Sequence, residues 1–298
     1  MSGPATARRP QGAVPRLDAL AEAHAEWAPW LGVLRELAPA LSDPAWGASP
    51  PGIAAREERS PWLAGAELRP DGPAVARLFD RLAGVARAQG LTALVGTTPG
   101  AQAATADEAL AVLLAASNHD LATLDQQAER RGATPEGWRT LARLLPMPYL
   151  HAYARRWAAE PDPAWTQGYC PVCGDWPAFA ELRGIEHTRH LRCGRCGCGW
   201  PMPILACSYC GTTDHETLRT LVVDDRKSQF SVEVCNGCSG YLKACTTLQA
   251  TPSDEIMVTD LASVEFDLAA DERDFLRPPV PGFALRAGLA APPATPRP

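Results

Sequence analysis

Hydrophobic and polar positions in the first half of the chain follow the period of an α-helix. Between residues 16 and 41, apolar side chains recur every three or four positions, as Leu17, Leu20, Leu31 and Leu34 illustrate. This spacing predicts an amphipathic helix that breaks near Pro29, because proline lacks the amide hydrogen that a helix interior uses. Similar patterns predict helices over residues 73–89, 105–116, 118–131, 149–159 and from 134 to the interruption at Pro146. Residues 16–160 are therefore predicted to be an all-α domain.

This helical half carries no motif of a catalytic site. Three histidines, His24, His119 and His151, are scattered along it without acidic partners at ligand spacing. The sequence also has no glycine-rich phosphate loop after a strand and no nucleophile elbow. We therefore expect the histidines to be structural.

The pattern changes after the Glu-Pro-Asp-Pro segment at residues 160–163, which we interpret as a domain boundary. Short β-prone runs follow, and they predict one ribbon from residues 178–185 and 188–192 and a second from 217–224 and 229–234. A polar turn at 224–227 joins the second pair of strands. A helix is expected around residues 259–271, and residues 276–298 form a proline-rich tail.

Cysteines dominate this second half. Eight of the ten cysteines form four pairs with two residues between the partners. The pairs are Cys170 and Cys173, Cys193 and Cys196, Cys207 and Cys210, and Cys235 and Cys238. Two such turns supply the four thiolates of a tetrahedral site, which suits zinc or a rubredoxin-type iron. Four pairs therefore predict two metal sites of the rubredoxin or zinc-ribbon kind.

The order of the pairs favours one site from the first two and another from the last two, and an interleaved arrangement is the alternative. Gly174, Gly197 and Gly211 directly follow three of the pairs, as expected for metal-binding turns that need a positive φ. A structural role for the metal is the first interpretation, since small ribbons cannot fold on burial alone. A redox role is the alternative. Cys198 and Cys245 are expected to remain thiols outside both sites.

Charge and composition narrow the class of protein. The net charge is −6 and the pI is about 5.6, whereas nucleic-acid binders usually present a basic face. No apolar run approaches the length of a membrane span. Arg8-Arg9 lacks the apolar segment of an export signal, so residues 1–15 are interpreted as a disordered leader. A cytoplasmic location is expected, where such cysteine pairs bind metal more often than they form disulfides.

Several motifs of the second half resemble the formate dehydrogenase accessory protein FdhE family. The resemblance covers residues 168–270, and the helical half is compatible with it. The motifs are Cys-Pro-Val-Cys-Gly at 170–174 with Pro177, Arg-His-Leu-Arg-Cys at 189–193, Trp200, Cys-Asn-Gly-Cys-Ser-Gly-Tyr-Leu-Lys at 235–243, and Asp-Leu-Ala-Ser at 260–263 with Asp267. The chain departs from the family in Pro-Met-Pro-Ile at 201–204, where the family usually has a basic residue, and in the extra Cys198.

The resemblance implies a cytoplasmic, non-catalytic protein that respiratory formate dehydrogenase needs for activity. Such a protein would act on the catalytic subunit of that enzyme, with iron or zinc in its four-thiolate sites. Two alternatives stay open, a rubredoxin-like iron redox protein acting on the same enzyme and a zinc-ribbon nucleic-acid-binding protein. We expect no nucleic-acid partner and no membrane insertion, and the oligomeric state is left open.

The predicted fold class is α+β, a helical domain followed by tandem rubredoxin-like or zinc-ribbon modules. The predicted domains are a leader at 1–15, the helical domain at 16–160, the first module at 165–200, the second module with its C-terminal helix at 201–275, and the tail at 276–298.

Overall fold

A computed structural model describes residues 12–53, 57–97, 103–157, 165–222 and 229–290. Six predicted features lie wholly or partly outside these ranges: the leader, the end of the helix at 149–159, the boundary at 160–163, the end of the strand at 217–224, the turn at 224–227 and the end of the tail. The domain limits therefore stay predictions.

The first half of the chain is built from helices, as its periodicity predicts. They are α1 (Ala13–Ala23), α2 (Ala28–Ser42), α3 (Gly72–Ala88), α4 (Thr92–Val95), α5 (Ala106–Ser117), α6 (Leu121–Arg131), α7 (Pro135–Ala142) and α8 (Met147–Trp157). The predicted break near Pro29 is wrong by a few residues, because the chain leaves the helix at 24–27. Pro29 instead lies in the first turn of α2, where a missing amide hydrogen costs no intrahelical bond.

The ends of these helices follow the local chemistry of their caps. The Thr105 hydroxyl accepts the amide of Glu108, and the Glu108 carboxylate accepts the amide of Thr105, which makes a reciprocal capping box. Gly132 ends α6 with a φ of 67°, a left-handed conformation that glycine adopts without steric cost. Thr134 caps α7, because its hydroxyl accepts the amide of Gly137.

The core of the helical half holds large side chains with almost no exposed surface. Trp138, Tyr149 and Leu78 are each no more than 1% exposed. Complete burial of one such side chain contributes about 1.5–3 kcal/mol, so packing of the apolar faces stabilises these helices more than their intrinsic propensity does. No described helix has both the length and the apolar character to cross a bilayer.

The second half of the chain forms one six-stranded sheet with the strand order β4-β3-β2-β7-β6-β5. Two residues of each half, β1 (Glu67–Leu68) and β8 (Gly288–Leu289), form a separate parallel pair, which the all-α prediction for residues 16–160 did not include. The strands of the sheet are β2 (Pro177–Arg183), β3 (Thr188–Cys193), β4 (Gly199–Pro201), β5 (Leu218–Leu221), β6 (Phe230–Cys235) and β7 (Gly240–Thr247). The helices α9 (Ile256–Leu261) and α10 (Val264–Asp271) follow the sheet.

The sheet joins the two predicted ribbons through β7. This strand pairs antiparallel with β6 and parallel with β2, so that Lys243 lies opposite Val232 on one side and Phe179 on the other. The β2–β3 and β5–β6 ribbons confirm the predicted strand pairs, whereas β7 and β4 were not predicted. The mixed helix-and-sheet fold is as predicted from the sequence.

A buried charge network fixes β7 to the two C-terminal helices. The Lys243 ammonium is fully buried, and its Nζ lies 2.7 Å from carboxylate oxygens of both Asp260 and Asp267. Arg277 pairs with the same two carboxylates. Burial opposes ionisation of Asp260, but the charges of Arg277 and Lys243 outweigh it and lower its pKa. The network therefore has two cations for two carboxylates.

We predict that Lys243→Met lowers the free energy of unfolding by about 3 kcal/mol, because removal of one partner leaves buried charge uncompensated. Arg273→Met is the matched control, since Arg273 is half exposed and lies 3.9 Å from Glu272; exposed pairs contribute at most about 1 kcal/mol. Urea unfolding of both variants measures the difference. Equal losses would contradict the proposed importance of the network.

Candidate metal centres

The structure brings the eight paired cysteines into two groups of four. Their Sγ atoms lie within 4.8 Å of one another in each group. The first group is Cys170, Cys173, Cys193 and Cys196, and the second is Cys207, Cys210, Cys235 and Cys238. This is the grouping that sequence order favours over the interleaved alternative. Among the described residues, no other cluster of His, Cys, Asp or Glu has comparable ligand geometry.

The spacing of the sulfur atoms fits a tetrahedral ion. A zinc–sulfur distance of about 2.3 Å places tetrahedral sulfurs about 3.8 Å apart. In the second group the Sγ atoms of Cys207 and Cys238 are 3.7 Å apart, and those of Cys210 and Cys235 are 3.8 Å apart. Corresponding distances in the first group are 3.4 and 3.5 Å. Both groups can therefore hold a metal ion, and an iron ion fits the same donor set.

Each group is made by two tight turns of the backbone. The amides of Gly174, Gly197 and Gly211 each donate to the carbonyl of the first cysteine of their pair, at 3.0 Å. All three glycines have φ between 71° and 73°, as their position after the pair predicts. The amide of Val172 also points at the Cys170 sulfur, at 3.4 Å, which stabilises negative charge on a thiolate.

The fourth turn uses serine where the other three use glycine. Ser239 directly follows Cys238 and adopts a φ of 53°. A non-glycine residue is held in this left-handed conformation only when its surroundings fix it. Here the Ser239 carbonyl accepts the amide of Leu276 at 2.9 Å. The fourth pair is thus also followed by a residue at positive φ, although that residue is not glycine.

The thiols of the first group are far from their ordinary state in water. Burial raises the pKa of Cys170 and of Cys196. Burial also opposes ionisation of Cys193, but hydrogen bonds from the other three thiols lower its pKa. These opposite directions mean that the buried sulfurs cannot all lose their protons without a cation. A divalent ion supplies that positive charge, and its binding releases the protons.

Three basic side chains in the second half of the chain, Arg192, Arg195 and Lys243, are buried. Arg192 binds both carboxylate oxygens of Glu181 at 2.9 and 3.0 Å and reaches the carbonyl of Gly197 at 3.3 Å. Arg195 lies inside the second turn of the first group, and Lys243 belongs to the buried network. Of these three side chains, Arg192 and Arg195 therefore lie at the second turn of the first group.

Arg195 connects the first group to the helical half. Its guanidinium donates to the carbonyls of Ala116 and Ser117 at the C-terminal end of α5 and to Nε2 of His119. Positive charge is favourable at this end of a helix. Burial and the Arg195 charge lower the pKa of His119 to about 3, so its imidazole is neutral and accepts the bond. His119 thus helps to hold Arg195 at the end of α5.

The two cysteines that lie outside the four sequence pairs, Cys198 and Cys245, occupy different places. Cys198 is buried against the first group, and hydrogen bonds with Cys170 and Cys196 lower its pKa. Cys245 is buried in β7, opposite Phe230. Neither belongs to the two groups of four. Sequence spacing could not show that a fifth sulfur lies beside the first group.

A cleft separates the helical half from the sheet beside the first group. It has a volume of about 500 Å³ and apolar walls that include Trp30, Met147 and Met257. Charged residues line it as well, among them Arg143 and Asp175. Burial raises the pKa of Asp175, although Arg143 lies 3.8 Å from its carboxylate. Apolar clefts with a few convergent polar groups are typical binding sites.

A helical half joined to a sheet with two four-cysteine centres defines a class of small metal-binding proteins, and comparisons with known proteins narrow it. Residues 205–282 match the family model described as FdhE, C-terminal domain. The fold is similar to the crystal structure of the FdhE protein from Pseudomonas aeruginosa, with a TM-score of 0.52 and 22% identity, over 91% of this chain and 94% of that one.

Curated relatives agree with this match. The chain is 29% identical over 136 residues to the FdhE homolog of Aquifex aeolicus, covering 44% of this chain and 46% of the relative. It is 26% identical over 148 residues to the FdhE protein of Escherichia coli strain E2348/69, covering 49% and 44%. The matches thus span less than half the length of these relatives. Together these matches confirm the resemblance to FdhE proteins that the motifs of the second half indicate.

We predict that the purified, reduced chain contains about two ions of zinc or iron, one for each four-thiolate group. Cys170→Ser with Cys173→Ser should remove one ion and destabilise the protein, because metal binding contributes directly to the free energy of folding. Elemental analysis with thermal unfolding tests both points. Cys198→Ser is the control and should keep two ions. A metal content near zero in folded wild-type protein would refute the assignment.

Ser239→Gly should raise the free energy of unfolding by up to about 1 kcal/mol, because glycine adopts positive φ without a Cβ clash. Ser231→Gly is the control within β6, where glycine should instead destabilise the strand. Chemical denaturation compares the two variants. If Ser239→Gly were the more destabilising of the two, the serine side chain would have a role beyond the turn.

Proposed function

We propose that this chain is a non-catalytic accessory factor that binds the catalytic subunit of formate dehydrogenase and is needed for its activity. The observation that carries the proposal is the match to FdhE proteins in the segment that holds the second four-cysteine group. The related proteins bear the FdhE name. We further propose that the chain acts in the cytoplasm on the immature enzyme.

The geometry of the two groups supports binding over catalysis. All four sulfurs of each group point at one centre, so an ion held there has a closed coordination shell. Catalytic metal sites keep a position open for water or substrate. Within the described residues, the remaining acidic and histidine side chains do not gather into a further ligand cluster. We therefore assign the metal ions a structural role in shaping a binding protein.

The cleft beside the first group is the surface that we propose for the client. Its walls come from both halves of the chain, with Trp30 on α2 and Trp176 just before β2. The carboxyl of Asp175 and the guanidinium of Arg143 could fix the orientation of a peptide against the apolar walls. Such a surface exists only while the first group holds the turn that precedes β2. Metal content and client binding would then be linked.

A redox function is the second candidate, and one observation favours it. Cys210 and Cys238 of the second group are exposed, so an iron ion there would lie close to a redox partner. The two functions differ in the metal that each requires. An electron carrier must hold iron, whereas a binding factor with zinc in both groups should still support maturation. Complementation with protein confirmed to contain zinc alone distinguishes the two.

We predict that Arg143→Glu reduces copurification of the catalytic subunit about tenfold or more, because charge reversal beside Asp175 makes the cleft repulsive at one end. Arg273→Glu is the matched control, since the two side chains are 59% and 54% exposed and Arg273 does not line the cleft. The measurement is capture on a tagged chain from cells that respire formate, with mass spectrometry of the bound proteins.

Both variants should retain the metal content of the wild type, which shows that they are folded. Equal capture by both variants would remove the cleft from the mechanism. Failure of the wild-type chain itself to capture the subunit would refute the proposed function.

A further inference from the structure

The two cysteine groups have the same donor atoms and nearly the same distances between their sulfurs. They differ in how much of the surrounding protein shields them from solvent. In the first group all four cysteines are no more than 1% exposed. In the second group Cys207 and Cys235 are buried, whereas Cys210 and Cys238 are exposed to solvent. An incoming ligand can therefore reach the second group directly. It can reach the first only when the surrounding structure opens.

Three contacts from the helical half close the first group. The amides of Trp62 and Leu63 donate to the carbonyls of Pro171 and Val172 at 2.8 and 3.1 Å, across the first turn. Arg195 donates to carbonyls at the C-terminal end of α5 and so holds the second turn against that helix. His151 of α8 packs on the same turn, because a Cβ built at Gly197 would lie 2.8 Å from its ring.

The turns of the second group lack an equivalent cover at the matching glycine. Among the residues that the structure describes, a Cβ built at Gly211 meets no atom within 4 Å. The adjacent Ile204 and Leu205 side chains are 55% and 61% exposed. This open side of the second group includes two of its four cysteines, Cys210 and Cys238. It leaves room for a small ligand to approach the ion.

We propose that the second site exchanges its metal ion with ligands in solution, such as low-molecular-weight thiols and small chelators, whereas the first site retains its ion. Exchange is a ligand substitution without change of oxidation state. The incoming ligand donates an electron pair to the ion, the bond to Cys210 or Cys238 breaks, and the released thiolate takes a proton from water. Repetition at the remaining sulfurs transfers the ion to the ligand.

The first site can react in this way only through local opening of the structure around it. Opening costs free energy, and the rate of release falls in proportion to the open population. Contacts with α5, α8 and residues 62–63 must all be broken to expose the sulfurs. We therefore expect the two metal ions of one chain to be released at two well-separated rates. The inference depends on metal in both sites and not on formate dehydrogenase.

The test uses the full chain loaded with zinc, with the content of two ions verified by elemental analysis before the reaction. Excess 4-(2-pyridylazo)resorcinol is added and the coloured complex is followed with time. About one ion per chain should leave in a fast phase, and the second about a hundredfold more slowly. Release of both ions at a single rate would overturn the proposal.

Alkylation shows which site loses its ion first. Iodoacetamide added after the fast phase should label the cysteines of the second group, and mass spectrometry should find the first group protected. Labelling of Cys170, Cys173, Cys193 and Cys196 before the others would overturn the proposal even if the release were biphasic. These two measurements on the wild-type chain decide the matter without any variant.

Two glycine variants test the cause of the difference. Gly197→Ala and Gly211→Ala place the same side chain at φ values of 71° and 73°, so the backbone strain is matched. Only the first meets close neighbours, the His151 ring at 2.8 Å and Ser253 at 2.8 Å. Gly197→Ala should accelerate the slow phase about tenfold or more, while Gly211→Ala leaves that phase unchanged. An unchanged slow phase in folded Gly197→Ala, or equal acceleration in both variants, would contradict the role assigned to the helical cover.

Discussion

Four buried sulfurs at one point are the constraint on which the rest of this structure depends. Cys170, Cys173, Cys193 and Cys196 are enclosed by protein on all sides, and their negative charges cannot share that space without a cation. An ion at their centre would hold the turn before β2 to the turn after β3. The same two turns make the contacts with the helical half. The sheet and the helices thus meet at a centre where a bound ion would contribute free energy of folding.

Much of this arrangement could be predicted from the sequence, because its signals are local. Helical periodicity, the cap at Thr134 and the glycines after three cysteine pairs all act over a few residues. The parallel pairing of β7 with β2 could not be predicted, since about sixty residues separate the partners and a charged lysine lies at the centre of the strand. Lys243 is neutralised only by helices that follow later in the chain. The positive φ of Ser239 could not be predicted either, because its conformation is fixed by Leu276, which lies far away in the sequence.

The two centres illustrate how tertiary packing differentiates sites that are alike in sequence. Both use the same paired spacing and the same type of turn, so the cysteine pattern alone favours two equivalent ions. The helices lie against the first and leave the second partly open. The closed centre lies beside the cleft, whereas the open centre remains accessible to solvent.

The most direct test of this account is diffraction from crystals of the chain at the absorption edge of the bound metal. Two anomalous peaks are expected, each about 2.3 Å from four cysteine sulfurs, one inside the first group and one inside the second. A single peak shared by cysteines of both groups, a ligand other than sulfur, or disulfides in place of either ion would contradict the account.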